Sequence, residues 1–280
     1  MTIKELCRTA KITRQGYYKE KKRRNRKELN EFKVIEVVKR IRNVHPKLGT
    51  KKLLHKIREN KMLQEDLGRD RLYGVLREKN MLIKRKKKAR TTDSNHSFKV
   101  YKNLVKDKEL KRENEAWASD ITYIKTKEGF LYLSLITDMY SRYIVGENIG
   151  ENLEATGSMK ALKKALIQKP KDVNTIHHSD RGTQYCCGEY KKMLWREGAI
   201  ISMTEENHCY ENAMAERVNG ILKHEYGLKE RLPNKKIAIK AIKQAIYLYN
   251  NERPHMSLGM RTPASVHFRD EKTEKKCVNF

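Results

Sequence analysis

Apolar residues in the first third of the chain recur at the spacing of amphipathic helices. Four valines and isoleucines between positions 34 and 41 follow an i, i+3, i+4, i+7 pattern and predict a helix over residues 31–44. A second helix is predicted from Thr50, which we expect to be its N-cap, and a third one after Gly68. Shorter helical segments are predicted within residues 5–19. Three short helices in about 50 residues are typical of a helix-turn-helix unit.

The pattern changes after residue 112, where segments rich in β-branched and aromatic residues alternate with short turns. Three sequential, mostly antiparallel strands are predicted at 117–124, 130–137 and 143–149. The elements predicted after them are a helix at 152–168, a strand at 173–179, a helix at 188–197, a strand at 199–203, and helices at 212–226 and 235–250. This order predicts an α/β fold in which helices cover a mixed sheet.

The excess of basic side chains gives the helical region a candidate partner. The 280 residues carry 63 Lys and Arg against 35 Asp and Glu, a net charge of +28. Residues 1–115 contain 37 basic and 15 acidic side chains, whereas residues 116–280 contain 26 and 20. Because a basic surface attracts polyanions, the N-terminal region is predicted to bind double-stranded DNA, mainly through its phosphates.

Two basic runs lie in this region, KKRRNRK at 21–27 and KRKKKAR at 84–90. The phosphate contacts predicted in the second run are those of Lys84, Arg85, Lys86, Lys87 and Lys88. The predicted organisation is an N-terminal helical segment (1–28), a helix-turn-helix-like DNA-binding domain (29–83), a basic linker (84–112), an α/β core (113–268) and a tail (269–280).

The composition excludes several protein classes. No apolar run approaches the ~18 residues of a membrane span, and the first ten residues lack the apolar core of a secretory signal. The five cysteines are odd in number and form no CxxC pair, which disfavours a disulfide scaffold and a standard zinc finger. We therefore expect a cytoplasmic protein with no membrane partner.

Three acidic residues occupy positions that favour a functional role. Asp120 lies inside the first predicted strand, where an unpaired charge is costly. Asp180 directly follows the strand 173–179, and α/β sheets place ligand groups at the carboxyl ends of their strands. Glu216 lies on the predicted helix 212–226. Asp138, at the end of the second strand, is predicted to be structural instead.

One side of the helix that carries Glu216 is polar. At about 100° per residue, Asn212, Glu216, Asn219 and Lys223 fall within about 60° of one direction, and apolar residues line the opposite side. This stripe combines a carboxylate with two amides and a cation. The residues of this helix that we predict to contact DNA are Asn212, Arg217, Asn219 and Lys223.

Carboxylates on a strand, a strand end and a facing helix can converge on hard divalent cations. Mg²⁺ prefers oxygen ligands and keeps several waters. Two such ions, about 3.5–4 Å apart, can stabilise both the attacking and the leaving oxygen of a phosphodiester. The sequence therefore predicts that Asp120, Asp180 and Glu216 are catalytic residues and ligands of two Mg²⁺ or Mn²⁺ ions.

Five segments of the chain resemble, in order and spacing, the retroviral-integrase-like DDE transposases of bacterial insertion sequences. They are WASDITYI, LYLSLITDMYSR, HHSDRGTQY, CYENAMAERVNGILKHE and YNNERPHMSLGMRTPA. The most specific features are the 35 residues between Asp180 and Glu216 and the lysine, Lys223, seven positions after Glu216. More narrowly, the chain resembles the downstream-frame (OrfB) product of the family that is encoded in two overlapping frames.

The resemblance implies a ribonuclease-H-like integrase catalytic core over residues 113–268, a mixed five-stranded sheet with helices on both faces. It implies metal-dependent cleavage at the ends of the element and strand transfer by the resulting 3′-hydroxyls. The implied partners are terminal inverted repeats, target DNA, further copies of the chain in a synaptic complex and an upstream-frame transposase segment. The implied location is the bacterial cytoplasm, at the nucleoid.

Alternatives remain open at this point. A non-catalytic DNA-binding regulator explains the basic charge but not the three acids, and a plain three-helix packing module explains neither. A ribonuclease-H-like nuclease without transposition explains the acids alone. An inactive transposase copy is the alternative raised by Asn207 and Glu211, where the family usually has Gly and Asp. A zinc site is disfavoured because adjacent residue pairs do not easily form a tetrahedron; the residues concerned are His177, His178, Cys186, Cys187, His208 and Cys209.

Overall fold

The computed structural model describes residues 2–63, 67–83, 101–205 and 212–268. The chain divides into two compact units, Met1–Arg85 and Lys86–Phe280. The basic run predicted to contact DNA at 84–88, the predicted tail 269–280 and the two departures from the family pattern at 207 and 211 lie outside the described residues.

The described part of the first unit is helical. Its helices are α1 (Ile3–Thr9), α2 (Arg14–Val44), α3 (Thr50–Glu59) and α4 (Arg69–Glu78). Helices α2, α3 and α4 bury one apolar cluster that includes Val38, Leu53 and Leu72. Helix α2 continues through residues 28 and 29, where the pattern predicted a boundary, since neither glycine nor proline occurs between Gly16 and Pro46.

The start of α3 corrects one local prediction. Gly49, in an extended conformation, is the N-cap, and no side chain caps this end of the helix. Thr50 is instead the first helical residue and is buried. The prediction is wrong because an N-cap residue precedes the helix and its side chain accepts from the free N–H groups of the first turn. The Thr50 hydroxyl is buried inside that turn.

The second unit is built on one sheet. Its strands are β1 (Ala116–Thr126), β2 (Gly129–Asp138), β3 (Ile144–Gly150), β4 (Ile176–Ser179) and β5 (Ile200–Met203). Their order across the sheet is β3-β2-β1-β4-β5. The pairs β1–β2 and β2–β3 are antiparallel, and the pairs β1–β4 and β4–β5 are parallel. This confirms the predicted α/β fold with a mixed five-stranded sheet.

Helices cover both faces of this sheet, as predicted. They are α5 (Ala155–Gln168), α6 (Thr183–Cys186), α7 (Gly188–Arg196), α8 (Ala213–Glu225), α9 (Lys235–Asn251) and α10 (Pro263–His267). Leu133 and Leu135 of β2 pack in the cluster that α8 and α9 share, whereas Ile136 packs in the cluster that α5 and α7 share. Successive strand residues point to opposite faces, so the two helix pairs lie on opposite sides. The four-residue helix α6 was not predicted.

Helix α5 packs tightly on the sheet. A Cβ atom at Gly146 of β3 would lie 2.3 Å from the carbonyl oxygen of Ala161 on α5. Only glycine permits this approach, which holds α5 against β3. None of the helices in the described ranges combines the length and the apolar composition that crossing a bilayer requires.

Candidate active site

The parallel pairing of β1 and β4 brings two of the predicted acids together. The last pair in this register joins Ser119 of β1 to Ser179 of β4. Asp120 follows Ser119 within β1, and Asp180 follows Ser179 directly after the end of β4. Because parallel strands run in the same direction, the two aspartates follow side by side at the same edge of the paired region.

Each aspartate is held by short local contacts. Asp120 Oδ1 accepts a hydrogen bond from the backbone N–H of Ile121 at 2.8 Å. Asp180 Oδ1 accepts from the backbone N–H of Gly182 at 3.0 Å. A Cβ atom at Gly182 would lie 3.0 Å from that carboxylate oxygen, so a larger residue would crowd the turn that positions Asp180.

Helix α8 turns its polar stripe toward β1, as its periodicity predicted. The Asn219 Nδ2 group donates to Asp120 Oδ2 at 2.8 Å, and Asn212 Nδ2 donates to the backbone oxygen of Ser119 at 3.1 Å. Lys223 Nζ lies 4.4 Å from the centre of the Tyr123 ring on β1. All three of these predicted DNA-contact residues therefore contact β1, and Asn219 bonds Asp120 directly; Asn212 is the N-cap of α8.

Two other residues of α8 are placed differently. Glu216 is exposed, and its negative charge acts on Asp120. Arg217 is also exposed, and its positive charge acts on the buried Tyr249 of α9. Arg217 thus lies on the side of α8 that faces α9, about 100° from Glu216, as expected for the next residue of a helix.

The electrostatics of the site favour a bound cation. Burial, together with the negative charges of Asp180 and, more weakly, Glu216, raises the pKa of Asp120 to about 7. The hydrogen bonds from Asn219 and Ile121 act in the opposite direction. Burial also lowers the pKa of Lys223, while the negative charge of Asp120 raises it. Negative charge is therefore concentrated here without full compensation.

Comparisons with known proteins agree with this geometry. Two family models, both described as integrase core domains, match residues 111–209 and 197–263. A Shigella sonnei protein, the "Insertion element IS600 uncharacterized 31 kDa protein", is 35% identical over 271 residues, which cover 95% of this chain and 98% of the relative. The chain belongs to the DDE transposases of bacterial insertion sequences. It is by class a polynucleotidyl transferase.

Further similarities extend over much of the transposase. The transposase InsF for insertion sequence IS3A of Escherichia coli K12 is 28% identical over 269 residues, 94% of this chain and 92% of that protein. Among solved structures, the HTLV-2 integrase catalytic core domain in complex with magnesium is 20% identical, with a TM-score of 0.45. The match covers 56% of this chain and 97% of the HTLV-2 chain. The fold assignment of the transposase rests on its strand order and on the integrase-core matches.

The side chains at the transposase site are of the chemical type that binds a hard cation. The available ligands are oxygens, as Mg²⁺ and Mn²⁺ prefer. The Oδ1 atoms of Asn212 and Asn219 are buried beside the aspartates with no hydrogen-bond partner. Among the residues that the structure describes, however, no three His, Cys, Asp or Glu side chains are grouped closely enough to hold a metal ion. The three predicted ligands share one region but do not form a closed cage.

His177 and His178, two residues of the disfavoured zinc site, bond buried side chains in the core of the transposase. His177 Nε2 lies 2.9 Å from the Tyr190 hydroxyl, and His178 Nδ1 lies 2.9 Å from the Ser202 hydroxyl. Burial lowers the pKa of His177 to about 3, so its ring is neutral. His208 and Cys209 lie outside the described residues.

Two further acids, Asp138 of β2 and Glu225 of α8, have structural partners. Asp138 is fully buried and accepts hydrogen bonds from the backbone N–H groups of Asn114 and Ser141 at 2.7 and 2.6 Å. This supports the structural role predicted for it. Glu225, at the end of α8, accepts two bonds from the buried guanidinium of Arg253, at 2.7 and 2.8 Å.

Sequence reasoning missed one feature beside the aspartates. Tyr123 of β1 lies under the ammonium group of Lys223 and against the ring of Phe130. Strand periodicity places Tyr123 on the same face as Trp117 and Ile121, which predicts packing instead of exposure. No local sequence signal identifies its exposed position, because that position depends on tertiary packing.

Proposed function

We propose that Asp120, Asp180 and Glu216 are the catalytic acids with which this transposase cleaves the ends of its insertion sequence and joins them to target DNA. The observation that carries this proposal is the register of β1 and β4, which sets Asp120 beside Asp180. Helix α8 adds Asn219 to the same point, and the charge of Glu216 acts on Asp120. Placing three acids from distant segments in one region has no evident structural benefit.

The three acids would hold two Mg²⁺ or Mn²⁺ ions. When bound, such ions supply positive charge for a phosphodiester and a nucleophilic water or hydroxyl. The exposed Glu216 would have to approach the two aspartates, since its side chain lies on the open side of α8. The buried Oδ1 of Asn219 offers a further oxygen at this point.

The remaining groups of the chain position the DNA and the carboxylates. The Asn219 amide holds the Asp120 carboxylate in one orientation through its 2.8 Å bond. The half-buried Lys223 carries a positive charge next to Asp120 and is available for a phosphate of the DNA end. The chain thereby orients the reacting phosphate and balances charge, which is the main task of a protein in phosphoryl transfer.

The partners that follow from this function are the terminal inverted repeats of the element and a target duplex, both in the bacterial cytoplasm at the nucleoid. Two ends must be held together during joining, so we propose a homo-oligomeric synaptic complex. An upstream-frame transposase segment is a further proposed partner. The basic region 84–88 would contribute phosphate contacts that weaken as salt rises.

The test is a cleavage and joining assay on DNA that carries the inverted repeats of the element. With Mg²⁺ or Mn²⁺ we expect 3′ ends joined to target DNA, and with EDTA we expect no product. Glu216→Gln should lower product formation by roughly 10²–10³-fold, as the loss of a group that stabilises transition-state charge does. Glu189→Gln on α7, another exposed helical carboxylate, is the matched control and should keep full activity.

Two outcomes would contradict the proposal. Equal activity of Glu216→Gln and the wild type would remove Glu216 from the site. Cleavage without joined 3′ ends would indicate a nuclease instead of a transposase. A separate measurement, Mn²⁺ binding followed by electron paramagnetic resonance, should show weaker binding in the Glu216 variant and unchanged binding in the Glu189 variant.

A further inference from the structure

The turn end of the β1–β2 hairpin presents two large aromatic rings to solvent. Tyr123 is 46% exposed and Phe130 is 48% exposed. Their ring centroids are 5.7 Å apart, and the ring planes are perpendicular. Residue 123 pairs with Tyr132, and Phe130 pairs with Lys125, so Tyr123 and Phe130 are diagonal neighbours on one face of the hairpin.

The short length of β4 leaves the backbone of Tyr123 without a strand partner on one side, among the described residues. β4 pairs with β1 up to Ser119. On that side of β1, the next pairing among the described residues is the single bridge between Thr126 and Leu232. Residues 120–124 of β1 therefore form a short edge with no strand partner on that side among the described residues, and Tyr123 lies within it.

Positive charge surrounds this aromatic pair. The Nζ atoms of Lys223 and Lys125 lie 4.4 and 5.9 Å from the centre of the Tyr123 ring. Burial lowers the pKa of Lys223, the charge of Asp120 raises it, and the charges of Lys125 and Lys229 lower it further. Lys223 thus links the aromatic pair to the candidate catalytic carboxylate, because it contacts the Tyr123 ring and its charge interacts with that of Asp120.

We propose that Tyr123, Phe130, Lys125 and Lys223, here called the aromatic platform, bind an unpaired nucleotide of the DNA that enters the carboxylate site. Stacking of a base on an aromatic ring requires a free base face, which a nucleotide inside a duplex does not offer. The lysines match the phosphates on either side of that base. A protein partner would not explain why the aromatic rings are interleaved with cations beside a site for DNA.

This inference rests on the proposed function, because the platform has a role only if DNA reaches Asp120. It assigns to Tyr123 a positioning role, since the residue would hold a strand near the acids without touching the reacting phosphate. A DNA strand that separates from its complement at the element end would then be held along the unpaired edge of β1.

The test is DNA binding by the full-length chain, measured by fluorescence anisotropy at one fixed salt concentration and without divalent ions. The probes are a blunt terminal-repeat duplex and the same duplex with a short thymidine tail. The wild type should bind the tailed probe more tightly. Tyr123→Leu, which keeps an apolar side chain, should weaken tailed-probe binding by about 5- to 100-fold, the size of one lost base stack.

Two variants separate stacking from other causes. Tyr123→Phe keeps the aromatic face and should retain the preference for the tailed probe. Tyr247→Leu on α9 replaces another exposed tyrosine (58% exposed) and should leave binding to both probes unchanged. Thermal unfolding of each variant identifies any loss of folded protein, and Phe130→Leu provides a second test of the platform if Tyr123→Leu does not fold.

The inference is overturned if Tyr123→Leu binds the tailed probe as tightly as the wild type, or if it weakens both probes by the same factor. Because no divalent ion is present, these results do not depend on catalysis. An active Glu216→Gln variant would refute the proposed catalytic site instead, so the two failures are distinguishable.

Discussion

Two aspartates on neighbouring strands show how the same residue type becomes either a structural element or a candidate ligand. Asp138 of β2 pairs with Trp117 of β1, and Trp117 lies three residues before Asp120. Asp138 is fully buried and accepts three hydrogen bonds, two from Ser141 and one from Asn114, at 2.6–2.7 Å. Asp120 accepts two, and its nearest charges include two further acids.

Burial raises the pKa of both carboxyls, but their surroundings act in opposite directions. Around Asp138, the donors from Ser141 and Asn114 and the charge of His267 favour the ionised form. Around Asp120, Asp180 and Glu216 disfavour it. The comparison indicates that burial alone does not identify a metal ligand. The distinguishing feature of Asp120 is its repulsion by Asp180 and Glu216.

The largest expected effect is on the activity of Asp120→Asn. This change removes a proposed metal ligand but keeps the shape of the side chain, so DNA cleavage and joining should fall by roughly 10³-fold or more. The thermal midpoint should stay constant or rise, because one of the repelling charges disappears. Activity comparable to that of the wild type, in a folded protein, would place the chemistry elsewhere.

The second effect is on stability and concerns Asp138. Asp138→Ala leaves the N–H groups of Asn114 and Ser141 and the Ser141 hydroxyl without their buried acceptor. At about 1–3 kcal/mol for each unsatisfied group, the free energy of unfolding should fall by roughly 3 kcal/mol or more. Denaturant unfolding measures this, with the exposed Glu189→Ala as the control. A loss below about 1 kcal/mol would mean that water replaces the carboxylate.

Local sequence patterns were sufficient for much of what positions the site. The period of the apolar positions predicted the five strands and the longer helices of the second unit, because it differs between a strand and a helix that each bury one face. It also predicted one polar face for Asn212, Glu216, Asn219 and Lys223. The structure turns three of them toward β1 and leaves Glu216 exposed. The family spacing predicted that Asp180 and Glu216 belong together, and the assignment of these acids as catalytic remains a prediction.

Features that depend on contacts between distant segments were not predictable from these patterns. The register that sets Ser119 against Ser179 depends on pairing across almost 60 residues. The open edge at Tyr123 follows from where β4 ends, which strand propensity does not fix. The exposed position of Glu216, outside any closed cage, depends on how α8 packs. In each case the deciding interaction is tertiary, and single-segment propensity does not contain it.

The smallest expected effect is the pH dependence that Asp120 gives to the stability of the folded protein. The pKa of Asp120 in the folded protein is raised to about 7 from the ordinary aspartate value. The folded state therefore binds this proton more tightly than the unfolded state does, so the stability that Asp120 contributes is fully present below about pH 4. It is lost as pH rises toward 7.

Asp120→Asn removes this titration, so the stability of the wild type relative to the variant should decrease between about pH 4 and pH 7 and then level off. Chemical unfolding of both proteins at several pH values, without divalent ions, measures the difference. Glu189→Gln should show no such trend, since Glu189 is exposed on α7. A difference that stays constant across this range would mean that neither burial nor the charges of Asp180 and Glu216 raise the pKa of Asp120 in the folded protein. Asp120 would then lack the repulsion that sets it apart from Asp138.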